Sequence, residues 1–455
     1  MVAVHEATGS IPVAGTIFLS LLLLEIREDK KMFFDSIKNI LPSGLRVIYV
    51  PIKSSNVITT LILYGVGSRN EDSEIAGISH VLEHMFFKGS EKRPTSQLLA
   101  EFIESIGGEH NAFTGKEYTG YYTKVSSKNL EKSFDFLSDL IANPVLDPKE
   151  LEKEKQVILQ ELSMYQDLPS DVAANKFESL VFGNNSLGRE IIGTKESIRK
   201  INRDDLLNHK NSYYQASNAI LVIAGNYSRY QKRLDEMVKK YFSSLGLGKS
   251  MPTTKINFPK PERIGIISKP VSQSHLCVGF RAPSVVDEDR YPMKVLSVIL
   301  GDSMSSRMFV EIREKRNLAY VIRTSYSGYC ESGAIETQAG IAINSELEAI
   351  KAIMAEYNRI KMEPVHEDEL NRAKEIISGK MLIALEDSEQ VAHFFAVNEL
   401  QRRDDLTPSE LLLKYGQVTM DDIMRVAKKY LTIDNLSIAV VTPTELKETD
   451  ILELL

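Results

Sequence analysis

The 455-residue sequence is poor in several residue types on which common functional sites depend. It contains two cysteines, Cys277 and Cys330, too few for a disulfide framework or a cysteine-rich zinc module. We therefore expect a reducing compartment, and any metal site must use histidine and carboxylate ligands. The formal charge of −7 leaves no excess of positive charge. This excludes a surface built for nucleic-acid phosphates or anionic lipids, so we expect neither nucleic acid nor a membrane among the partners.

A long apolar run is also missing. The stretch 11–24 (IPVAGTIFLSLLLL) has only about 14 residues, where roughly 20 are needed to span a bilayer. No lysine or arginine precedes it and no small-residue cleavage motif follows it, so it is not typical of a secretion signal. We expect residues 1–32 to be an N-terminal extension outside the fold and the protein to be cytoplasmic, with export as the alternative. A phosphate-binding glycine loop is absent too, because the Gly65 and Gly67 pair lacks a third glycine and a following helix.

What the sequence does contain is one long internal repeat. The segment beginning at Asp147 aligns with the segment beginning at Glu367, so that Glu150 corresponds to Glu369. The same register relates two further pairs of segments. The chain is thus predicted to hold two copies of one domain. We place the first domain at 33–245, a Gly, Pro and Lys-rich linker at 246–262 and the second domain at 263–455.

Both copies alternate strand and helix patterns. β-branched runs such as 57–64 and 219–224 indicate strands. The stretches 75–88, 96–106, 130–141 and 148–165 repeat apolar residues every three or four positions, as helices do. Asp147 followed by Pro148 is typical of a helix start. The predicted fold class is therefore α+β, with helices packed on one face of a largely antiparallel sheet in each domain.

The candidate chemistry is concentrated in the segment His80-Val-Leu-Glu83-His84. On a helix, the two histidines and Glu83 project from one arc of the surface. Two neutral imidazoles one turn apart can bind Zn²⁺, and a carboxylate beside them can take a proton from bound water. The alternative is a pair of ordinary helix histidines beside an exposed glutamate.

A third ligand is available on the helix that begins at Pro148. Glu154 and Glu161 stand two helical turns apart on one face of it. Apolar residues surround Glu161, and a carboxylate in such a place is costly unless it is paired or bound to a metal. Its alternative is a solvated helix carboxylate, the usual state of glutamate.

Taken together, these residues resemble the M16 family of zinc metallopeptidases, the inverzincins that include pitrilysin and the mitochondrial processing peptidase. That family has an HxxEH motif followed at a characteristic interval by a ligand glutamate, and the interval from His84 to Glu161 matches it. The resemblance implies that His80, His84 and Glu161 hold one Zn²⁺ per chain. It also implies that Glu83 is the general base and that Glu154 supports the site from behind the ligands.

Two further segments resemble the family. The stretch 111–122 is similar to its NAxTxxExTxYY pattern, an edge strand that binds substrate backbone, which implies substrate contacts for Asn111, Ala112 and Phe113. The stretch 313–320 is similar to its RxxxxLxY pattern, which implies that Arg313 and Tyr320 contact substrate and stabilise the oxyanion. Without the resemblance, the first stretch is an ordinary Tyr and Thr-rich strand, and Arg313 and Tyr320 are surface and core residues.

The second copy lacks the metal site, because the positions corresponding to Glu154 and Glu161 are Ala373 and Lys380. Family members of this length assemble as two chains around a closed cavity. The resemblance therefore implies a homodimer, with a heterodimer as the alternative, in which Arg313 and Tyr320 complete the site of the same chain or of its partner. We expect a zinc endopeptidase that hydrolyses peptides or unfolded segments. The rivals are a non-catalytic assembly subunit or partner chain of a heterodimeric peptidase, and a metal-dependent hydrolase of a non-peptide substrate.

Overall fold

The computed structural model describes residues 34–249, 251–252, 255–402 and 406–455. The expectation of an extension at 1–32 lies outside the described residues. Described residues on either side of the 246–262 segment form two halves, each built around one sheet.

The first half contains a six-stranded sheet. Its strands are β1 (Ile37–Ile40), β2 (Arg46–Pro51), β3 (Val57–Tyr64), β4 (Glu109–Thr114), β5 (Thr119–Ser126) and β6 (Ala219–Gly225). Its helices are α1 (Ile78–Phe86), α2 (Ser96–Ser105), α3 (Leu130–Ala142), α4 (Pro148–Asp167), α5 (Pro169–Phe182), α6 (Lys195–Lys200), α7 (Arg203–Tyr213) and α8 (Leu234–Phe242). The four helices predicted from apolar periodicity are α1 to α4, and Asp147 caps α4 by accepting hydrogen bonds from the backbone of Lys149 and Glu150.

The second half contains a five-stranded sheet. Its strands are β7 (Ile264–Ser268), β8 (Ser274–Ala282), β9 (Ala319–Gly328), β10 (Gly333–Ile341) and β11 (Leu436–Thr442). Its helices are α9 (Arg290–Gly301), α10 (Glu346–Met362), α11 (Glu367–Ala384), α12 (Ser388–Val397), α13 (Pro408–Gly416), α14 (Met420–Tyr430) and α15 (Glu448–Leu452). Two π-helical segments, Phe309–Lys315 and Asn398–Arg402, complete it.

The two sheets have related topologies. The strand order is β1-β2-β6-β3-β5-β4 in the first and β7-β11-β8-β10-β9 in the second. Each contains one parallel pair, β2 with β6 and β7 with β11, and the other pairs are antiparallel. The α+β class and the largely antiparallel sheets predicted from the sequence are therefore confirmed. Strands β4 and β9 lie at equivalent edges.

Both faces of each sheet are apolar and covered. In β2, Val47 and Tyr49 point into the core beneath α1 and α3, whereas Ile48 and Val50 point to the opposite face. This alternation follows from the two-residue period of a strand. The predicted helices on one face of each sheet form one core in each half. A second core lies on the opposite face of each sheet.

The opposite faces are covered by an exchange of helices between the halves. Helix α12, from the second half, packs on the first sheet through Val391, Ala392 and Phe395. Helix α5, from the first half, packs on the second sheet through Ala173 and Phe177. The two helices begin at equivalent positions of the internal repeat, 169 and 388. Each half therefore lacks part of its core without the other. No helix within the described residues is long and apolar enough to cross a membrane.

Candidate metal centre

Helix α1 carries the HxxEH segment and is amphipathic. Val81, Leu82 and Met85 are fully buried in the core of the first half, while His80 and His84 are partly exposed on the other side of the helix. The sequence thus places the apolar residues of α1 against the sheet and leaves its polar arc open.

The start of α1 is held by a buried carboxylate. Glu71 accepts hydrogen bonds from the backbone N–H groups of Gly77, at 2.6 Å, and Ser79, at 2.8 Å. Gly77 has φ +95°, and a side chain there would meet the backbone oxygen of Ile192 at 2.4 Å, so the position requires glycine. Burial raises the pKa of Glu71 to about 7, against the opposing effect of these two hydrogen bonds. Glu71 therefore fixes the turn that precedes His80.

Three potential metal ligands converge on one point. One side-chain atom each from His80, His84 and Glu161 lies within 4.8 Å of the others. The Nε2 atoms of His80 and His84 are 3.9 and 3.7 Å from the two carboxylate oxygens of Glu161. These distances exceed a hydrogen bond and are close to the roughly 3.4 Å that separates two ligands of one tetrahedral zinc ion. The donor set, two imidazoles and a carboxylate, is one that Zn²⁺ prefers, so the residues present fit the ion.

Glu154 lies behind these three side chains. Its Oε1 is 2.9 Å from Nδ1 of His84, and its Oε2 is 2.5 Å from Nζ of Lys88. A partner on Nδ1 leaves Nε2 of His84 directed at Glu161. Glu154 is buried, with Lys88 drawn onto its second oxygen. Glu154 therefore orients the imidazole of His84.

The protonation of the site follows from burial and from these pairs. Burial, and then the nearby His84, lower the pKa of His80 to about 4, so this imidazole is neutral at neutral pH. Burial by itself lowers the pKa of His84, but the hydrogen bond to Glu154 and the charges of Glu154, Glu161 and Glu83 outweigh it and raise the pKa. Carboxylates predominate around the two imidazoles, which favours a bound cation.

Glu83 lies on the same arc of α1 and is partly buried. Its Oε2 accepts a hydrogen bond from the hydroxyl of Thr114, the last residue of β4. Burial raises the pKa of Glu83, and the Thr114 hydrogen bond opposes that rise. A carboxylate with a raised pKa beside metal ligands is suited to accept and return a proton.

All four of these side chains, His80, Glu83, His84 and Glu161, open on one cavity of about 840 Å³. Its other walls come from both halves of the chain and include Phe113, Thr114, Lys116, Glu117, Tyr165, Glu178, Glu190, Tyr329 and Gln401. The volume is ample for several amino-acid residues of an extended peptide.

Glu117 ties the two halves together at this cavity. Its carboxylate accepts hydrogen bonds from the Arg69 guanidinium, from the backbone N–H of Cys330 at 3.0 Å, and from the Gln401 amide at 2.8 Å. Arg69 also contacts Glu331 of the second half at 2.7 Å. Glu117 therefore lines the cavity and also joins the two halves of the chain through hydrogen bonds.

The residues predicted to bind substrate lie on β4. Asn111 is exposed, Ala112 and Phe113 are half-buried, and Phe113 lines the cavity. In the strand order of the described sheet, β4 pairs with β5 alone, so its other edge is open. An open edge beside the cavity can accept an extended peptide as an added strand.

Arg313 and Tyr320 lie outside the cavity that His80, His84 and Glu161 share. Arg313 is in the π-helical segment of the second half, with its guanidinium 4.7 Å from the ring centre of Phe309 and 5.7 Å from that of Tyr320. Tyr320, at the start of β9, is 71% exposed. The two are neighbours, but neither lines the cavity that the metal ligands of the same chain share.

Several residues of the site had no recognisable signal in the sequence. Glu71, Glu178 and Gln401 come from loops or helices without a motif, and Gln401 is contributed by the other half of the chain. Thr114 lies within the 111–122 stretch, yet only the structure shows that it contacts Glu83.

Comparison with protein families gives two matches. Residues 46–195 match the model described as insulinase (peptidase family M16), and residues 200–377 match the model of the peptidase M16 inactive domain. The candidate metal ligands lie within the first match, and the second match covers the end of the first half and residues 263–377 of the second copy.

Bacterial relatives resemble the chain over nearly their whole length. An uncharacterized zinc protease of Bacillus subtilis, YmxG, is 32% identical over 403 residues, which are 88% of this chain and 97% of the relative. An uncharacterized zinc protease of Rickettsia bellii is 34% identical over 417 residues, 89% of this chain and 97% of the relative.

Solved structures share the fold. A protease from Helicobacter pylori superposes with a TM-score of 0.85 at 26% identity, covering 90% of this chain and 100% of that one. A Pseudomonas fluorescens structure described as a peptidase M16 inactive domain has a TM-score of 0.84 at 17% identity, covering 91% of this chain and 100% of that one, a likeness of fold alone.

Proposed function

Because this chain belongs to peptidase family M16, with relatives described as zinc proteases, we propose that it is a zinc-dependent endopeptidase. Its substrates are peptides or unfolded segments, hydrolysed in an enclosed chamber formed by two chains. One observation carries the proposal. The ligand set of His80, His84 and Glu161 and the carboxylate of Glu83 open on the same cavity, beside an open strand edge.

Zinc at this site would be held by His80, His84 and Glu161, with Glu154 orienting His84. Bound there, Zn²⁺ supplies Lewis-acid polarisation of the scissile carbonyl and acidifies the attacking water. The chain itself supplies the ligand geometry, the proton acceptor and the substrate alignment.

Glu83 acts as the general base. It takes the proton from the attacking water and later delivers a proton to the leaving amine. The hydroxyl of Thr114 holds the carboxylate in place, and burial keeps the pKa of Glu83 above its usual value, which improves it as a proton acceptor. Because Thr114 ends β4, the base is positioned by the same strand that aligns the substrate.

Substrate backbone pairs with the open edge of β4 at Asn111, Ala112 and Phe113. Such pairing requires an extended chain, which excludes folded proteins. The cavity is large enough for a few residues on either side of the scissile bond, which fits an endopeptidase.

Arg313 and Tyr320 complete the site of a partner chain. This proposal is supported by the exposure of Tyr320 and by the position of both residues outside the cavity of their own chain. Brought to a partner's cavity, the Tyr320 hydroxyl and the Arg313 guanidinium would stabilise the oxyanion and bind substrate. A homodimer would then have two composite sites.

The test is hydrolysis of a pool of unstructured peptides by the purified chain and by Glu83→Gln, with bound zinc measured in both. We expect about one zinc per chain in each, cleavage by the wild type, and loss of cleavage in the variant. Zinc without cleavage in the wild type would overturn the proposal for this chain alone and favour a subunit that needs a different partner. Mixing the Glu83→Gln and Tyr320→Phe proteins tests the composite site. After the chains exchange, a mixed dimer contains one site with both Glu83 and Tyr320 intact only if Tyr320 acts on the partner's site. Activity is therefore restored only if the two residues act across the dimer.

A further inference from the structure

The second half carries an ion pair at the position that corresponds to Glu161, a candidate metal ligand of the first half. In the register that pairs Glu150 with Glu369, Lys380 on α11 corresponds to Glu161, and it lies beside Asp302, the residue that directly follows α9. Helix α9 packs against α11 as α1 packs against α4. The Nζ of Lys380 is 3.0 Å from Oδ1 of Asp302 and 3.2 Å from its backbone oxygen. The second copy therefore has an ammonium group, paired with Asp302, where the first copy has the carboxylate of Glu161.

Two further cations surround the same carboxylate. A terminal nitrogen of Arg323, on the edge strand β9, lies 3.5 Å from Oδ1 of Asp302, and Nζ of Lys294, on α9, lies 3.9 Å from Oδ2. The Asp302 side chain is only 10% exposed. Three positive charges thus face a single negative charge, which leaves a local excess of two.

Lys294 and Arg323 have unused hydrogen-bond donors. Within the described part of the chain, neither side chain donates a hydrogen bond, and neither has a carboxylate within ion-pair distance other than Asp302. Burial lowers the pKa of Lys294, and the charges of Lys380 and Arg323 lower it further against the pull of Asp302. The cluster is short of negative charge.

We propose that Lys294, Arg323 and Lys380 form a binding site for an oxyanion, a carboxylate or phosphate group, on the second half of the chain. The side chains of Arg323 and Lys380 are 68% and 57% exposed, so a ligand can approach from solvent, while Lys294, at 35%, forms the floor. The planar guanidinium of Arg323 can bind two oxygens of one such group at once. The site does not depend on the peptidase proposal.

If the three cations served only to stabilise the fold, replacing Asp302 would have a different effect. Asp302 directly follows α9, and cations are stabilising near a helix C-terminus. Lys380 alone meets that need, because it contacts both the carboxylate and the backbone oxygen of Asp302. If the cluster is only structural, replacing Asp302 removes the carboxylate that holds all three cations in place. If the cluster is a binding site, the same replacement removes the carboxylate that competes with the ligand for these cations.

The experiment measures ligand binding by calorimetry in the full-length Glu83→Gln protein at constant ionic strength, so that peptides are not consumed. The probes are inorganic phosphate and an unstructured peptide, with either a free or an amidated C-terminus. We expect Arg323→Gln to weaken binding about tenfold and Asp302→Asn to strengthen it several-fold. Lys351→Gln, an exposed change of the same charge on α10, should leave binding unchanged.

The two probes distinguish the source of the anion. Because a peptide also binds at β4 under the peptidase proposal, only binding that Arg323→Gln weakens is assigned to this site. Such binding of the free-acid peptide but not of its amide identifies a peptide carboxylate, and such binding of phosphate with indifference to the peptide terminus identifies a phosphate ligand. Binding of neither probe, or equal affinities in the parent, Arg323→Gln and Asp302→Asn proteins, overturns the proposal. Arg323 is exposed on an edge strand, so its variant should fold, and circular dichroism checks this for each protein.

Discussion

Oε1 of Glu154 lies 2.9 Å from Nδ1 of His84, and the opposite nitrogen of the same ring faces Glu161. One side chain therefore sets the direction of His84, a candidate metal ligand, from the side of the ring opposite Glu161. The partner of a ligating histidine typically contributes about 10- to 100-fold to metal affinity. This arrangement leads to the first prediction.

Glu154→Gln should weaken zinc binding by about 10- to 100-fold, because the amide is a poorer partner for Nδ1 and leaves Lys88 without its carboxylate. Competition with a chelator measures the affinity. Glu150→Gln, on the exposed first turn of α4, is the matched control and should retain wild-type affinity. An unchanged affinity in Glu154→Gln would show that His84 needs no such partner.

Thr114→Val should lower kcat about tenfold and move the acidic limb of the pH profile of kcat/KM to higher pH. The Thr114 hydrogen bond lowers the pKa of Glu83, so removing the hydroxyl raises that pKa, and the base is deprotonated only at higher pH. Thr114→Ser keeps the hydroxyl and should keep the wild-type profile. A shift of equal size in both variants would assign the effect to packing at the end of β4.

Glu71→Gln tests the carboxylate at the start of α1. Burial raises the pKa of Glu71 from 4.5 to about 7, so the folded state holds this proton more tightly than the unfolded state. The contribution of Glu71 to stability is therefore present below about pH 4.5 and is lost as the pH rises toward 7. The stability of the wild type minus that of Glu71→Gln should fall by roughly 3 kcal/mol over this interval.

Denaturant unfolding at a series of pH values measures that difference. The amide of glutamine keeps one acceptor for the N–H groups of Gly77 and Ser79, so a constant offset between the two proteins is expected in addition. A difference that does not change with pH would mean that Glu71 titrates normally.

Phe395→Ala should destabilise the first sheet, although Phe395 belongs to the second half of the chain. Its ring is 7% exposed and lies in the core between α12 and β2, β3 and β6. We expect a loss of about 3 to 5 kcal/mol, typical of a large buried aromatic side chain. Hydrogen exchange should show the loss of protection in β3. Ile383→Ala, at a position 76% exposed, is the control and should change stability by less than about 0.5 kcal/mol.

Much of the site could be predicted because its chemistry is encoded locally. The spacing of His80, Glu83 and His84 defines one arc of a helix whatever surrounds it. The start of α4 was likewise predictable, since Asp147 and Pro148 act on their own first turn. Glu154 and Glu161 were candidates from their spacing on α4, but their separate roles came only from the family resemblance, which carries long-range information that local periodicity does not.

Contacts between distant segments could not be predicted in this way. The continuous apolar run 47–50 in β2 is consistent with burial of both of its faces, but it does not identify α12 as the cover of one of them, because any amphipathic helix would satisfy the same pattern. The hydrogen bond between Thr114 and Glu83, and the pairing of Arg69 with Glu331, join residues that share no local signal.

The sequence by itself determined the α+β class, the internal repeat, and the helix that carries His80, Glu83 and His84. Each of these follows from periodicity or spacing, which act over a few turns of chain or recur along it. Only the tertiary structure decided that the halves exchange α5 and α12, that Glu71 holds the start of α1, and that Arg323 and Lys294 converge on Asp302. These relationships depend on which buried surfaces and charges meet when the sheets pack, and non-local packing is not written in the pattern of any single segment.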